Sequence, residues 1–91
     1  MEIIKYLGDI LATEISISPP AARGLLKLAI KDQIGPFKKL AEIDLNDLQN
    51  VIKGSLSKRL IELEVNDPEI IIDLIENELI LNQSLITITK I

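Results

Sequence analysis

Two proline-marked helix starts fix how this chain can be divided. Ser18-Pro19-Pro20 and Asn66-Asp67-Pro68-Glu69 each set a capping residue directly ahead of proline. Proline biases the residue before it toward extended backbone, and in the first helical turn its missing N–H has no partner to lose. Between these starts, Gly35-Pro36 reads as a stop, because glycine takes the conformation that closes a helix and proline cannot continue one.

Hydrophobic spacing fills in the segments. Over Glu2 to Glu14, Ile3, Ile4, Leu7, Ile10 and Leu11 share one helical face, with Glu2, Lys5, Asp9 and Thr13 opposite. Ile15-Ser16-Ile17-Ser18 alternates and suits a short extended stretch. After Pro20, Ala22, Leu25, Leu26, Ala29 and Ile30 follow the i, i+3, i+4, i+7, i+8 template. Pro36 to Ile43 can form a short helix through Phe37, Leu40 and Ala41. Asp44 reads as an N-cap with Asp47 completing a capping box. Leu45, Leu48, Ile52, Leu56, Leu60 and Leu63 then make one stripe to about Glu64, with Gly54 marking a point where that helix can divide.

The last third is the most apolar. Asp67 is placed to cap a helix that starts at Pro68, with Glu69 complementing the positive end of its dipole. Ile71, Ile72, Ile75 and Leu79 form the main stripe, and Ile70, Leu74, Ile80 and Leu81 widen it nearly all round. After Asn82-Gln83-Ser84, the alternation Ile86-Thr87-Ile88-Thr89 reads as a β-strand. It could pair with Ile15–Ile17, with residues around Leu81, or with its copy in a sister subunit. The expected fold is mainly α: a compact bundle of four to five short helices with a short C-terminal β-strand or hairpin, as one domain over residues 1–91.

Composition matters here because it removes the usual staples of a small domain. The chain has no cysteine and no histidine, and Tyr6 and Phe37 are its only aromatics although 47 % of its residues are hydrophobic. Stability must therefore come from an aliphatic core or from a partner chain. The lack of cysteine is compatible with a reducing cytoplasm. The stretch Ile3–Leu11 is interrupted by Lys5 and Asp9, so it does not read as a signal peptide, and no apolar run approaches the roughly 20 residues of a membrane span. A cytoplasmic location is the expectation.

Chemistry is sparse. Without cysteine or histidine, zinc, iron–sulfur and haem ligation through those residues are excluded, and no segment has calcium-loop spacing. Glu69, Asp73 and Glu76 share a helix face, which reads as its solvated side. Ser55, Ser57 and Lys58 lie close in sequence, but no nucleophile elbow, P-loop or dinucleotide fingerprint is present, and Gly8, Gly24, Gly35 and Gly54 are isolated. A non-catalytic chain without cofactor or metal is expected, and no family resemblance is carried by these residues.

Charge is unevenly placed within the net −4: Pro20 to Arg59 holds eight basic and four acidic residues, whereas Leu60 onward holds seven acidic residues and one lysine. The two regions are expected to face each other or a sister subunit. Arg23, Lys27 and Lys31 recur every four residues, and Lys38, Lys39, Lys53, Lys58 and Arg59 extend that basic patch. A nucleic-acid reading uses this patch and draws a helix-turn-helix, with Leu45–Lys53, a turn at Gly54, a second helix Ser55–Glu64 and the C-terminal strand as a rudimentary wing. Gln49, Asn50 and Lys53 where the helices should touch, and Glu62 and Glu64 on the second helix, fit it poorly. The leading expectation is a protein–protein interaction module, adaptor or regulatory subunit, self-associating (as a homodimer) or bound in a complex through Ile70, Leu74, Ile80, Leu81, Ile86 and Ile88. The alternative is a small winged-helix-like nucleic-acid-binding regulator.

Overall fold

A computed structural model describes residues 2–35, 38–39 and 42–88, with Thr87 and Ile88 as backbone. The described residues form α1 (Glu2–Ile15), α2 (Pro19–Ile34), α3 (Leu45–Val51), α4 (Ser57–Glu62), α5 (Pro68–Leu81) and α6 (Ser84–Ile88). A π-helical turn, Ile52–Leu56, joins α3 to α4 without a break. Half of the helix expected over Pro36–Ile43, including Phe37, Leu40 and Ala41, lies outside the described residues, and residues 38–39 and 42–43 are not α-helical. Ile43 itself is buried in the core.

The starts of α2 and α3 form as their sequences predict. The Ala21 N–H donates to Ser18 Oγ at 3.3 Å, and Pro19 and Pro20 occupy the first helical turn of α2. At α3 the box is reciprocal: the Asp47 N–H donates to Asp44 Oδ1 at 2.9 Å, and the Asp44 N–H to Asp47 Oδ2 at 3.2 Å. Gly35, at φ 93°, closes α2 with its N–H on the Lys31 carbonyl.

Ile15-Ser16-Ile17 is not an extended stretch. Ser16 takes the left-handed conformation at φ 57°, and the Ile17 N–H donates back to the Ala12 carbonyl at 3.0 Å. This ends α1 as a Schellman motif, with Ile17 packed on the core. Glu64, at φ 58°, ends α4 the same way: the Val65 N–H reaches the Leu60 carbonyl and the Glu64 N–H the Ile61 carbonyl.

Twenty buried hydrophobic residues make one cluster, drawing on every helix and containing no buried polar or charged residue among those described. Helices α1 and α2 make the most extensive contact in the fold. Their backbones meet closely: a Cβ on Gly8 would lie 2.5 Å from Arg23 Cγ and 3.3 Å from the Arg23 backbone. The small residues Ala12, Ala22 and Ala29 are buried in the same core.

Gly54 does not divide the second long helix. Leu48, Ile52, Leu56 and Leu60 recur every four residues, a spacing that drifts about 40° per step around a helix of 3.6 residues per turn. A π turn holds more residues per turn and takes back part of that drift. All four side chains are thereby buried, at 3 % exposure or less. The helix-turn-helix outline drawn at Gly54 is absent, because the backbone there is helical throughout.

The expected C-terminal strand or hairpin is overturned. No strand occurs among the described residues: Ile86, Thr87 and Ile88 of the alternating segment belong to the helix Ser84–Ile88, and Thr89 lies outside the described residues. The Leu85 and Ile86 N–H groups donate to the Asn82 and Gln83 carbonyls at 3.0 Å each. A lone strand needs a partner for its backbone groups, and Ile15–Ile17 is already committed to the end of α1. A helical turn satisfies those groups locally, packs α6 on α1 and buries Ile86 at 3 % exposure.

Asp67 also departs from expectation. Helix α5 starts at Pro68, but Asp67 sits at φ 50° and its side chain makes no capping hydrogen bond. The cap worth about 1 kcal/mol that the sequence suggests is therefore not made.

Two glycines should respond oppositely to alanine. Gly24 has open space around it, so Gly24→Ala should stabilise by about 0.5–1 kcal/mol through helix propensity. Gly8→Ala must push α1 from α2 and should destabilise by about 1–3 kcal/mol. Urea midpoints of the two variants check the contrast. Glu64→Gly should stabilise by about 0.5–1 kcal/mol and so raise the midpoint, because glycine holds the left-handed conformation without steric cost.

Candidate interaction surface

Helix α5 buries Ile71, Ile72, Ile75 and Leu79 and leaves the rest of its apolar girdle outside the core. Ile70 and Leu81 are 68 % and 72 % exposed, and Ile80 is 40 % exposed. Ile70, Leu74, Asn77 and Leu81 are spaced 4-3-4, which sets them in one strip along the outer side of the helix. Leu74 is half-buried and Asn77 exposed. The structure therefore keeps Ile70, Leu74, Ile80 and Leu81 at or near the surface. Ile86 belongs to the core, and the Ile88 side chain lies outside the described residues.

Further exposed apolar residues join this helix from its N-terminal side. Ile61 and Leu63, at the end of α4, are 61 % and 57 % exposed. The sequence stripe assigned Leu63 to the core, but the helix ends at Glu62 and the Schellman turn carries Leu63 outward. Ile61 gives a recoverable signal: it falls off the Leu56–Leu60 stripe and sits beside Glu62. Leu28, on α2, is the remaining large exposed hydrophobic residue among those described.

Between the C-terminal ends of α1 and α4 lies a shallow groove lined by Glu14, Ile15, Leu63, Glu64 and Val65. Helix C-termini are the negative ends of the helix dipole, which the two glutamates reinforce. Glu62, Glu64, Asp67, Glu69 and Asp73 are all exposed and form no ion pair among the described residues.

The basic residues are divided differently. Lys38 pairs with Asp47 at 2.7 Å, Lys53 with Glu76 at 3.1 Å, and Arg59 with Asp32. Among the described residues, Lys53–Glu76 is the one ion pair that links the basic middle of the chain to the acidic end. Arg23 lays its stem over Gly8 and donates from Nε to the Pro19 carbonyl at 3.3 Å. Lys27, Lys31, Lys39 and Lys58 are exposed and make no ion pair among the described residues. The acidic helix thus touches the basic patch at one point and leaves most of it open.

Polar side chains elsewhere brace helices. The Tyr6 hydroxyl donates to Glu78 Oε2 at 2.7 Å, tying α1 to α5, and Asn82 Nδ2 donates to the same oxygen at 3.2 Å. That hydrogen bond to Glu78, with desolvation second, holds the Tyr6 hydroxyl above the usual phenol range. Ser55 Oγ donates to Gln33 Oε1 at 3.0 Å. No helix among the described residues is long and apolar enough to cross a membrane. Compared with protein-family models, curated proteins and solved structures, the chain matches none.

The Lys38–Asp47 pair carries a pH signature. Its hydrogen bond from Lys38 is the main reason Asp47 titrates below the usual carboxylate range. A carboxyl depressed by folding stabilises the folded chain above its unfolded-state value, and that contribution is lost as pH falls through the folded value. Asp47→Asn should therefore melt below the parent chain near neutral pH, with the gap closing below about pH 4. A melting-temperature series in pH checks this.

Proposed function

We propose that this chain is a non-catalytic protein–protein interaction module, held to its partner through α5 and the corner between α4 and α5. The observation that carries this reading is the exposure of Ile70 and Leu81 on one strip of an otherwise core-packed helix. Each large aliphatic side chain left in water forgoes roughly 1.5–3 kcal/mol of possible burial. That loss is appreciable for a domain whose net stability is about 5–15 kcal/mol. A contact surface recovers it on binding.

The nucleic-acid reading has less support. It called on a turn at Gly54 and a C-terminal wing, and the chain forms a π-helical turn at the first and a helix at the second. Arg59 and Lys38, counted in its basic patch, are engaged with Asp32 and Asp47.

Affinity capture from nuclease-treated lysate of the source cells tests the proposal. The parent chain should retain one or more proteins that Ile70→Glu and Leu81→Glu variants lose, with folding midpoints near that of the parent. Equal retention by parent and variants, or retention abolished by nuclease, would contradict it.

A further inference from the structure

Exposed apolar and acidic side chains interleave along a single short stretch, and this pattern defines the chemistry of the partner. Ile61, Leu63 and Ile70 project into solvent at the α4–α5 corner. Glu62, Glu64, Asp67 and Glu69 are exposed between them, and Asp73 follows one turn into α5. No lysine or arginine occurs from Leu60 through Thr89. The groove beside this corner lies between the C-terminal ends of α1 and α4, the negative ends of their dipoles, and is lined by Glu14 and Glu64, so dipoles and side chains carry the same sign.

We infer that the corner binds a basic amphipathic segment of another protein, with apolar side chains seated on Ile61, Leu63 and Ile70 and lysines or arginines meeting the surrounding carboxylates. This rests on reading the surface as a protein contact and adds the partner's charge. Apolar contact supplies the burial, while the acidic ring selects the sign of the partner and speeds encounter.

A second copy fits less well. A two-fold contact sets the same patch against itself, so the acidic ring of one chain would meet the acidic ring of the other. The basic outer face of α2 in a second copy has the right sign through Lys27 and Lys31 but offers Leu28 as its one large exposed apolar residue. Such a head-to-tail contact also lacks the self-complementarity of a two-fold dimer and yields rings or filaments instead.

The probe is a synthetic amphipathic helix with leucines on one face and lysines on the other, titrated against the full chain by calorimetry. Two analogues keep the leucines and replace lysine with glutamate or with glutamine. The lysine peptide should bind and weaken with added salt, whereas the analogues should bind at least about tenfold more weakly. Ile70→Glu and the pair Glu62→Lys with Glu69→Lys should each lose about tenfold or more in affinity. Glu2→Lys with Asp9→Lys, an equal charge change on exposed residues of α1, should leave binding within about twofold of the parent. Circular dichroism of each variant confirms that it is folded.

Three results would overturn the inference: no binding of the lysine peptide, equal binding of the analogues, or equal loss in the α1 pair. Light scattering over a dilution series adds the second-copy outcome. A monomer mass throughout agrees with the inference, and a dimer abolished by Ile70→Glu overturns it. Capture of a native partner that depends on Ile70 and Leu81 would survive any of these failures, so the two proposals fail separately.

Discussion

The approach of α1 to α2 at Gly8 sets the frame on which the other helices are laid. With hydrogen alone at that position, the Arg23 stem crosses α1 at a distance that no Cβ would allow. The contact is made of small residues and aliphatic side chains, so its strength lies in close packing rather than in directional bonds. With α1 and α2 fixed, Leu7, Leu11, Leu26 and Ile30 present the apolar surface that the Leu45–Glu62 rod and α5 cover. The polar ties across the fold, Tyr6–Glu78 and Lys53–Glu76 among them, lie outside that core and orient the helices from its edge.

An interior built from isoleucine, leucine, valine and alanine has consequences for the surface. Side chains without polar atoms can be buried at no hydrogen-bonding cost, and no buried polar side-chain atom among the described residues lacks a partner. Yet a helix turns only one broad face inward. Helix α5 is apolar beyond that face, and the excess stays outside as Ile70, Ile80 and Leu81. The proposed function follows from this surplus and not from any reactive group.

Much of the helical architecture is legible in the residues. Ser18 with Pro19 and Pro20, Asp44 with Asp47, and the Gly35 stop act within a few residues of themselves, so spacing alone reveals them. The stripes of α1, α2 and α5 are similarly local. What the sequence concealed depended on the rest of the chain. Ile86-Thr87-Ile88 has strand alternation, but only tertiary structure reveals that no strand is free to pair with it. Gly54 looks like a break until the four-residue spacing of Leu48, Ile52, Leu56 and Leu60 is seen to need a wider turn. Asp67 has the chemistry of a cap, while its left-handed backbone points the side chain elsewhere. The α5 part of the candidate surface, Ile70, Leu74, Ile80 and Leu81, was readable from excess apolarity on that helix. Ile61 is also legible, off the Leu56–Leu60 stripe, whereas Leu63 was not, because its exposure depends on where α4 ends.

In the isolated chain the α4–α5 corner and the outer strip of α5 stand open, apart from the core. Methyl nuclear magnetic resonance with a neutral, soluble paramagnetic agent measures this residue by residue. Methyl groups of Ile61, Leu63, Ile70 and Leu81 should relax strongly, those of Ile3, Leu11, Ile75 and Leu79 should be shielded, and the division should hold as the protein is diluted. Shielding of Ile61 and Ile70 to the level of the core methyls would contradict the claim, since those side chains would then already be covered.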